Sequence, residues 1–222
     1  MDIVHFLMDN WDRSLYLTWE HVWIVGLSVL IATAIGVPLG VLITKHERLA
    51  KKIINTANIF MTIPSIALFG LMLPILSVFG FGLGKVPAVI ALVLYSQLPI
   101  IRNTYVAINN VPNSVVNAAR GMGMTKWQRL KEVEIPIAVP VILAGLRTAA
   151  VMNIGIAAIA AYIGAGGLGV YIQQGIDRVY EAMIISGAIL VSVFAILVDA
   201  LMSLFESALT PRGIKIQRKM GK

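Results

Sequence analysis

The chain has no cysteine among its 222 residues. Disulfide frameworks, thiolate nucleophiles and cysteine metal sites are therefore excluded. Charge is scarce too: Asp, Glu, Lys and Arg make up 13% of the residues, against 58% hydrophobic. A soluble domain needs far more polar surface than that, and the mean hydropathy of +0.85 marks an integral membrane protein. The histidines His5, His21 and His46 are scattered and make no ligand spacing. There is no H-E-x-x-H, no G-x-S-x-G and no paired-carboxylate signature, so nothing here points to catalysis. No internal repeat and no separate soluble segment is visible. Residues 1–222 read as one transmembrane domain.

What the chain does have is long apolar runs. Five approach the ~20 residues a spanning helix requires: about 22–44, 53–79, 86–107, 135–163 and 182–209. The second is interrupted by Pro64 and Pro74. The expected fold is an all-α membrane protein of about five transmembrane helices. The net charge of +7 does not call for a nucleic-acid partner, because the basic residues sit in short loops between apolar runs. Lys45, Arg48, Lys51 and Lys52 follow the first run. Lys126, Arg129 and Lys131 follow the third, and Arg212, Lys215, Arg218 and Lys219 the fifth. This alternation predicts the N-terminus outside and the C-terminus inside. The start carries Asp2, Asp9 and Asp12 rather than basic residues. The first run is also too long for a signal h-region, so it is expected to insert and stay. Five helices are too few to enclose a regulated path, which points to a dimer or larger assembly.

The one long polar stretch is the loop 112–136. Asn113 or Ser114 is placed to cap a short helix through Val115, Ala118 and Ala119, which Gly121 and Gly123 then break. Thr125 with Gln128 forms a capping box for a second helix. On that helix Trp127 and Leu130 are expected to share a face. Pro136 fits the first turn of the next span.

Ala118-Ala119, three residues, Gly123, nine residues, then Val133-Glu134-Ile135-Pro136 resembles the EAA loop of binding-protein-dependent ABC importer permeases. The stretches 62–71, 92–107 and 162–169 resemble the branch that imports glycine betaine, carnitine, choline or similar quaternary amines. The resemblance implies a permease in the bacterial cell (plasma) membrane. Its coupling residues would be Asn117, Ala118, Ala119, Gly123, Trp127 and Pro136. It also implies several partners: a cytoplasmic ATPase dimer, a second permease subunit of the same or similar sequence, an extracellular substrate-binding protein and membrane lipid. ATP and Mg would belong to the ATPase, leaving this chain without a cofactor. One departure stands out. The family motif often begins with Glu, and Asn117 stands there instead, without the charge assistance a carboxylate gives to a hydrogen bond.

Within the runs, charged and polar residues are candidates for function. Arg147 and Asp199 lie at similar depth, counted at ~1.5 Å per residue from the loop-side ends of their runs, and are expected to pair. Tyr95, Gln97, Asn153 and Ser65 are candidates for a translocation path. A quaternary ammonium is drawn to aromatic faces, and Tyr95 and Phe60 or Phe69 are the rings at a suitable depth within the runs. Gly164, Gly166 and Gly169 spell G-x-G-x-x-G, but the motif follows a span rather than a strand. It reads as an outer turn, flexible or tightly packed, and not as a dinucleotide site. Other readings stay open: the same machine carrying an amino acid or oxyanion, a transporter driven by an ion gradient through Asp199 and Glu206, and a membrane scaffold.

Overall fold

The computed structural model describes residues 3–210. Asp2 and the basic residues Arg212, Lys215, Arg218 and Lys219 lie outside the described residues. The chain folds as helices α1 (Ile3–Asp9), α2 (Trp11–Ile43), α3 (Glu47–Thr62), α4 (Ser65–Ser77) and α5 (Lys85–Asn109). The loop helices α6 (Asn113–Gly121) and α7 (Lys126–Arg129) follow, then α8 (Ile135–Ile159), α9 (Gly169–Asp177) and α10 (Glu181–Leu209). Among the described residues, α2, α5, the run Lys126–Ile163 and α10 are each long and apolar enough to cross a membrane. The pair α3 and α4 would make a fifth span, bent by 100°.

The first helix begins well before residue 22, where the apolar run begins. Its leading residues mix charged and polar side chains with aromatic ones, and hydropathy misses them for that reason. They are held by tertiary hydrogen bonds instead: Ser14 Oγ lies 2.9 Å from the Tyr171 hydroxyl, and His21 is fully buried.

Of the two prolines in the second run, only Pro64 breaks the helix. Ile63 before it is extended, at φ −71° and ψ 126°, as the proline ring demands. A break inside lipid leaves backbone carbonyls without partners, and these must be satisfied within the protein. The Tyr95 hydroxyl of α5 does this, donating to Ile63 O at 2.5 Å. Pro74 stays inside α4, where a proline in a membrane helix is tolerated.

α5 is the centre of the bundle, packed between α2 and α8, while α10 lies on α8 and α9. Hydrophobic attraction is weak between apolar helices in lipid, so close backbone approach takes its place. Small residues supply that approach. A Cβ built on Gly40 of α2 would stand 2.5 Å from Thr104 Cβ and 3.0 Å from Ile101 O of α5. One on Gly145 of α8 would stand 2.7 Å from Asn103 Cβ and 2.8 Å from Pro99 O. Gly26, also on α2, faces open space. Gly40→Val is therefore expected to destabilise the bundle by about 1–3 kcal/mol, the usual cost of overpacking. Gly26→Ala is expected to leave it unchanged. Thermal melting of the purified protein checks both.

Candidate functional site

The loop between α5 and α8 is a rigid construction. The end of α6 closes in a Schellman motif: Met124 N–H donates to Ala119 O at 3.2 Å, and Gly123 N–H to Arg120 O at 2.9 Å. Gly123 sits at φ +79°, the left-handed region that glycine adopts without a Cβ clash. The next turn carries the complete capping box, with Thr125 Oγ1 accepting from Gln128 N–H and Gln128 Oε1 accepting from Thr125 N–H. Both ends of the turn are thus fixed by local hydrogen bonds.

α7 does not stop where the span was expected to start. It passes through a π-helical turn, Leu130–Glu134, directly into α8. Pro136 therefore stands in the first turn of α8 without starting a new helix. The π turn moves the bonding to i→i−5, with Ile135 N–H on Leu130 O, just before Pro136 withdraws its own donor. An ion pair braces the turn. Arg129 Nε donates to Glu134 Oε1 at 2.6 Å, with both side chains 15% exposed.

Trp127 and Leu130 are not buried together. Leu130 is buried among Ala107, Ile108, Ala138 and Ile142, whereas Trp127 is 69% exposed. Leu130 lies where α7 has already reached the bundle; Trp127, one turn earlier, has not. Ala119 is buried and anchors α6; Asn117 and Ala118 are exposed. Met122, 73% exposed, joins Trp127 to give the loop an apolar outer surface, of the kind that marks a protein partner.

At the opposite end of the bundle the glycine-rich turn is tightly packed. Gly164, Gly166 and Gly167 all have positive φ. Leu168 N–H donates to His21 Nδ1 at 3.2 Å, and His21 Nε2 lies 3.2 Å from Ile154 O. Because Nδ1 accepts, Nε2 carries the hydrogen, so one imidazole ties α2, α8 and the turn together. His21 is thus structural, and the described residues contain no cluster of metal-ligating side chains.

Within the spans, Arg147 of α8 and Asp199 of α10 meet in a bidentate pair, Nε–Oδ1 and Nη2–Oδ2 both at 2.5 Å. Glu206, two turns along α10, lies 3.9 Å from Nη1. The pair is open in this chain, with side chains 33% and 41% exposed. The four path candidates do not converge. Asn153 is fully buried and donates to Ser96 Oγ at 2.8 Å, joining α8 to α5. Tyr95 is buried and holds the bend, and Ser65 begins α4 just after it. Gln97 lines a separate recess of about 260 Å³ with Phe60, Thr56 and Lys52. Phe69 is buried in the core, as is Tyr95. A cluster of accessible rings lies elsewhere, on Tyr16, Trp19 and Trp23 of α2. Tyr16 and Trp19 precede the first apolar run and Trp23 stands at its start, so a search confined to the runs misses the cluster; their helical spacing was the available signal.

Residues 36–211 match the family described as the binding-protein-dependent transport system inner membrane component. The chain is 51% identical to the osmoprotectant import permease protein OsmW of Salmonella typhimurium, over 97% of this chain and 100% of that one. It is 41% identical to the glycine betaine/carnitine/choline transport system permease protein OpuCB of Bacillus subtilis, over 95% of this chain and 94% of the other. Among solved structures, an inward facing conformation of the MetNI methionine ABC transporter superposes with a TM-score of 0.80 at 25% identity. That superposition covers 92% of this chain and 98% of the other.

Two outcomes are expected. Gly123→Val forces a branched side chain into φ +79° and should abolish loop-dependent activity, while Gly123→Asn, which tolerates that conformation, should retain most of it. A Cβ at Gly123 would meet open space, so a failure of both variants alike would locate the requirement in contact rather than in backbone shape. Arg147→Asp and Asp199→Arg should each lower the yield of folded protein, and the double exchange should restore it. A double variant no better than either single one would show that the two charges act separately.

Proposed function

Because the chain belongs to the family of binding-protein-dependent transport system inner membrane components, we propose that it is the permease subunit of an ATP-driven importer for quaternary-amine osmoprotectants. Glycine betaine, carnitine and choline are the cargo class. The observation that carries this reading is the near full-length identity with osmoprotectant permeases of two bacteria. The subunit is membrane-embedded and non-catalytic. ATP is hydrolysed by a partner ATPase, and cargo arrives on a binding protein.

The orientation follows the charges. The loop 112–136 and the Lys45–Lys52 segment face the cytoplasm, and the 164–168 turn faces outside. The ATPase engages the surface around Asn117, Ala118, Gly123, Trp127 and Met122. Buried Ala119 and the Arg129–Glu134 pair keep that surface rigid. Since α7 continues through the π turn past Pro136 into α8, displacement of the loop is carried into the span without a hinge between them. α8 carries Arg147, and through Asp199 it carries α10. Closure of the ATPases on ATP thus moves both helices together, and reset after hydrolysis releases cargo inside.

The open ion pair supports a position for a second permease subunit. A guanidinium–carboxylate pair facing lipid hydrocarbon is costly, so the face of α8 and α10 that bears it turns toward the partner and the path between them. The bent pair α3–α4, with Ser65 and Tyr95 at its corner, fits the broken-helix geometry seen beside membrane transport sites. Gln97, in its separate recess beside α3, and Asn153, the buried joint between α8 and α5, support the helices around that path from different sides.

The test is uptake of labelled glycine betaine, carnitine and choline. The host cells lack their own osmoprotectant importers and carry this chain with its ATPase and binding protein. Saturable uptake of at least one compound, lost in Gly123→Val, is expected. Assembled complexes that take up none of the three would overturn the cargo class.

A further inference from the structure

At the end of the bundle opposite the loop, Tyr16, Trp19, Glu20, Trp23 and Lys85 line an open recess of about 290 Å³. The four residues of α2 fall at i, i+3, i+4 and i+7, so they share one helix face. Lys85 starts α5 beside them. Glu20 is the fixed point of the recess, its side chain only 10% exposed. Its carboxylate accepts from the Tyr16 hydroxyl at 3.0 Å, from Lys85 Nζ at 2.7 Å and from Gly167 N–H at 3.2 Å. The Lys85 side chain is about half-exposed, and an ammonium has three donors to share.

Aromatic residues at the end of a span ordinarily form an interfacial belt. A belt accounts for the rings. It does not account for a nearly buried carboxylate set among them by three hydrogen bonds, nor for an ammonium held at the rim.

The chemistry of the recess is specific. A quaternary ammonium has no N–H to donate, so aromatic faces and a nearby anion are what attract it. A carboxylate on the same molecule needs a cationic donor. Rings and Glu20 meet the first need, and Lys85 the second. The geometry points to an outer holding site for a quaternary-ammonium carboxylate, with Tyr16, Trp19 and Trp23 around the ammonium and Lys85 on the carboxylate. This inference rests on the cargo class proposed above. Glu20 links the site through Gly167 to the 164–168 turn, so an occupant adjoins the segment that His21 ties to α8. A trimethylammonium group beside an anion also occurs in choline phospholipid headgroups, and the test separates that source.

The complex of this chain with its ATPase, without binding protein, is placed in nanodiscs of phosphatidylethanolamine and phosphatidylglycerol. Binding of labelled glycine betaine and labelled choline is then measured. Saturable binding of both is expected. Trp19→Ala should weaken both roughly tenfold, and Trp19→Phe should keep most of the affinity, because a ring face remains. Lys85→Gln should weaken glycine betaine roughly tenfold and leave choline within about twofold, because choline has no carboxylate to lose a partner. Each variant is checked for an unchanged melting temperature and full assembly with the ATPase. Binding unaffected by Trp19→Ala, or equal losses of both ligands in Lys85→Gln, would overturn the site. Displacement of glycine betaine when phosphatidylcholine is added to the discs would assign the recess to lipid and overturn its role for cargo. Uptake by intact cells without binding in the discs would remove the site and leave the cargo class standing; absence of uptake would remove the cargo class itself.

Discussion

The breaks in and at the ends of the spans are governed by one constraint: backbone groups released inside a membrane find no water. The helices can bend, stop or turn only where a side chain or local motif takes up the freed hydrogen bonds. Tyr95 takes the carbonyl of Ile63 at the α3–α4 corner. His21 and Glu20 receive the N–H groups of Leu168 and Gly167 at the far turn. Each of these devices sits where the chain departs from straight helix, and each joins elements that would otherwise be free to move independently.

The same logic separates the two ends of the molecule. At the loop end, capping, a π turn and the Arg129–Glu134 pair make a stiff extension of α8 whose apolar residues Met122 and Trp127 stay exposed. At the other end, polar side chains of α2 clamp the glycine turn and leave a recess of rings and charges. Between them, α5 is nearly enclosed by its neighbours, while α10 offers most of its surface and the open Arg147–Asp199 pair to something outside this chain. One subunit therefore has a finished core and an unfinished face.

Much of this was legible in the residues. Apolar runs near the thickness of a bilayer declared the long helices, and Thr125-x-x-Gln128 declared its capping box. The depth of Arg147 and Asp199, counted along helices of fixed rise, placed them level with each other. Legibility failed where a position depended on neighbours distant in sequence. Trp127 and Leu130 look alike in a periodic pattern, yet only Leu130 reaches α5 and α8. Pro64 and Pro74 look alike too, but Tyr95 stands ready at only one of them. Asn153 reads as a polar group in a path until Ser96 is found against it.

The sequence by itself determined what kind of molecule this is. Hydropathy and charge are sums over local composition, and the loop motif is a local pattern, so membrane embedding, the all-helical class and the kinship with importer permeases needed no third dimension. Tertiary structure alone decided which polar residues are buried joints and which are open chemistry. Hydrogen bonding and burial are properties of pairs, and the pairs that matter here, His21 with Leu168, Glu20 with Gly167 and Tyr95 with Ile63, lie far apart along the chain and meet only when the helices pack.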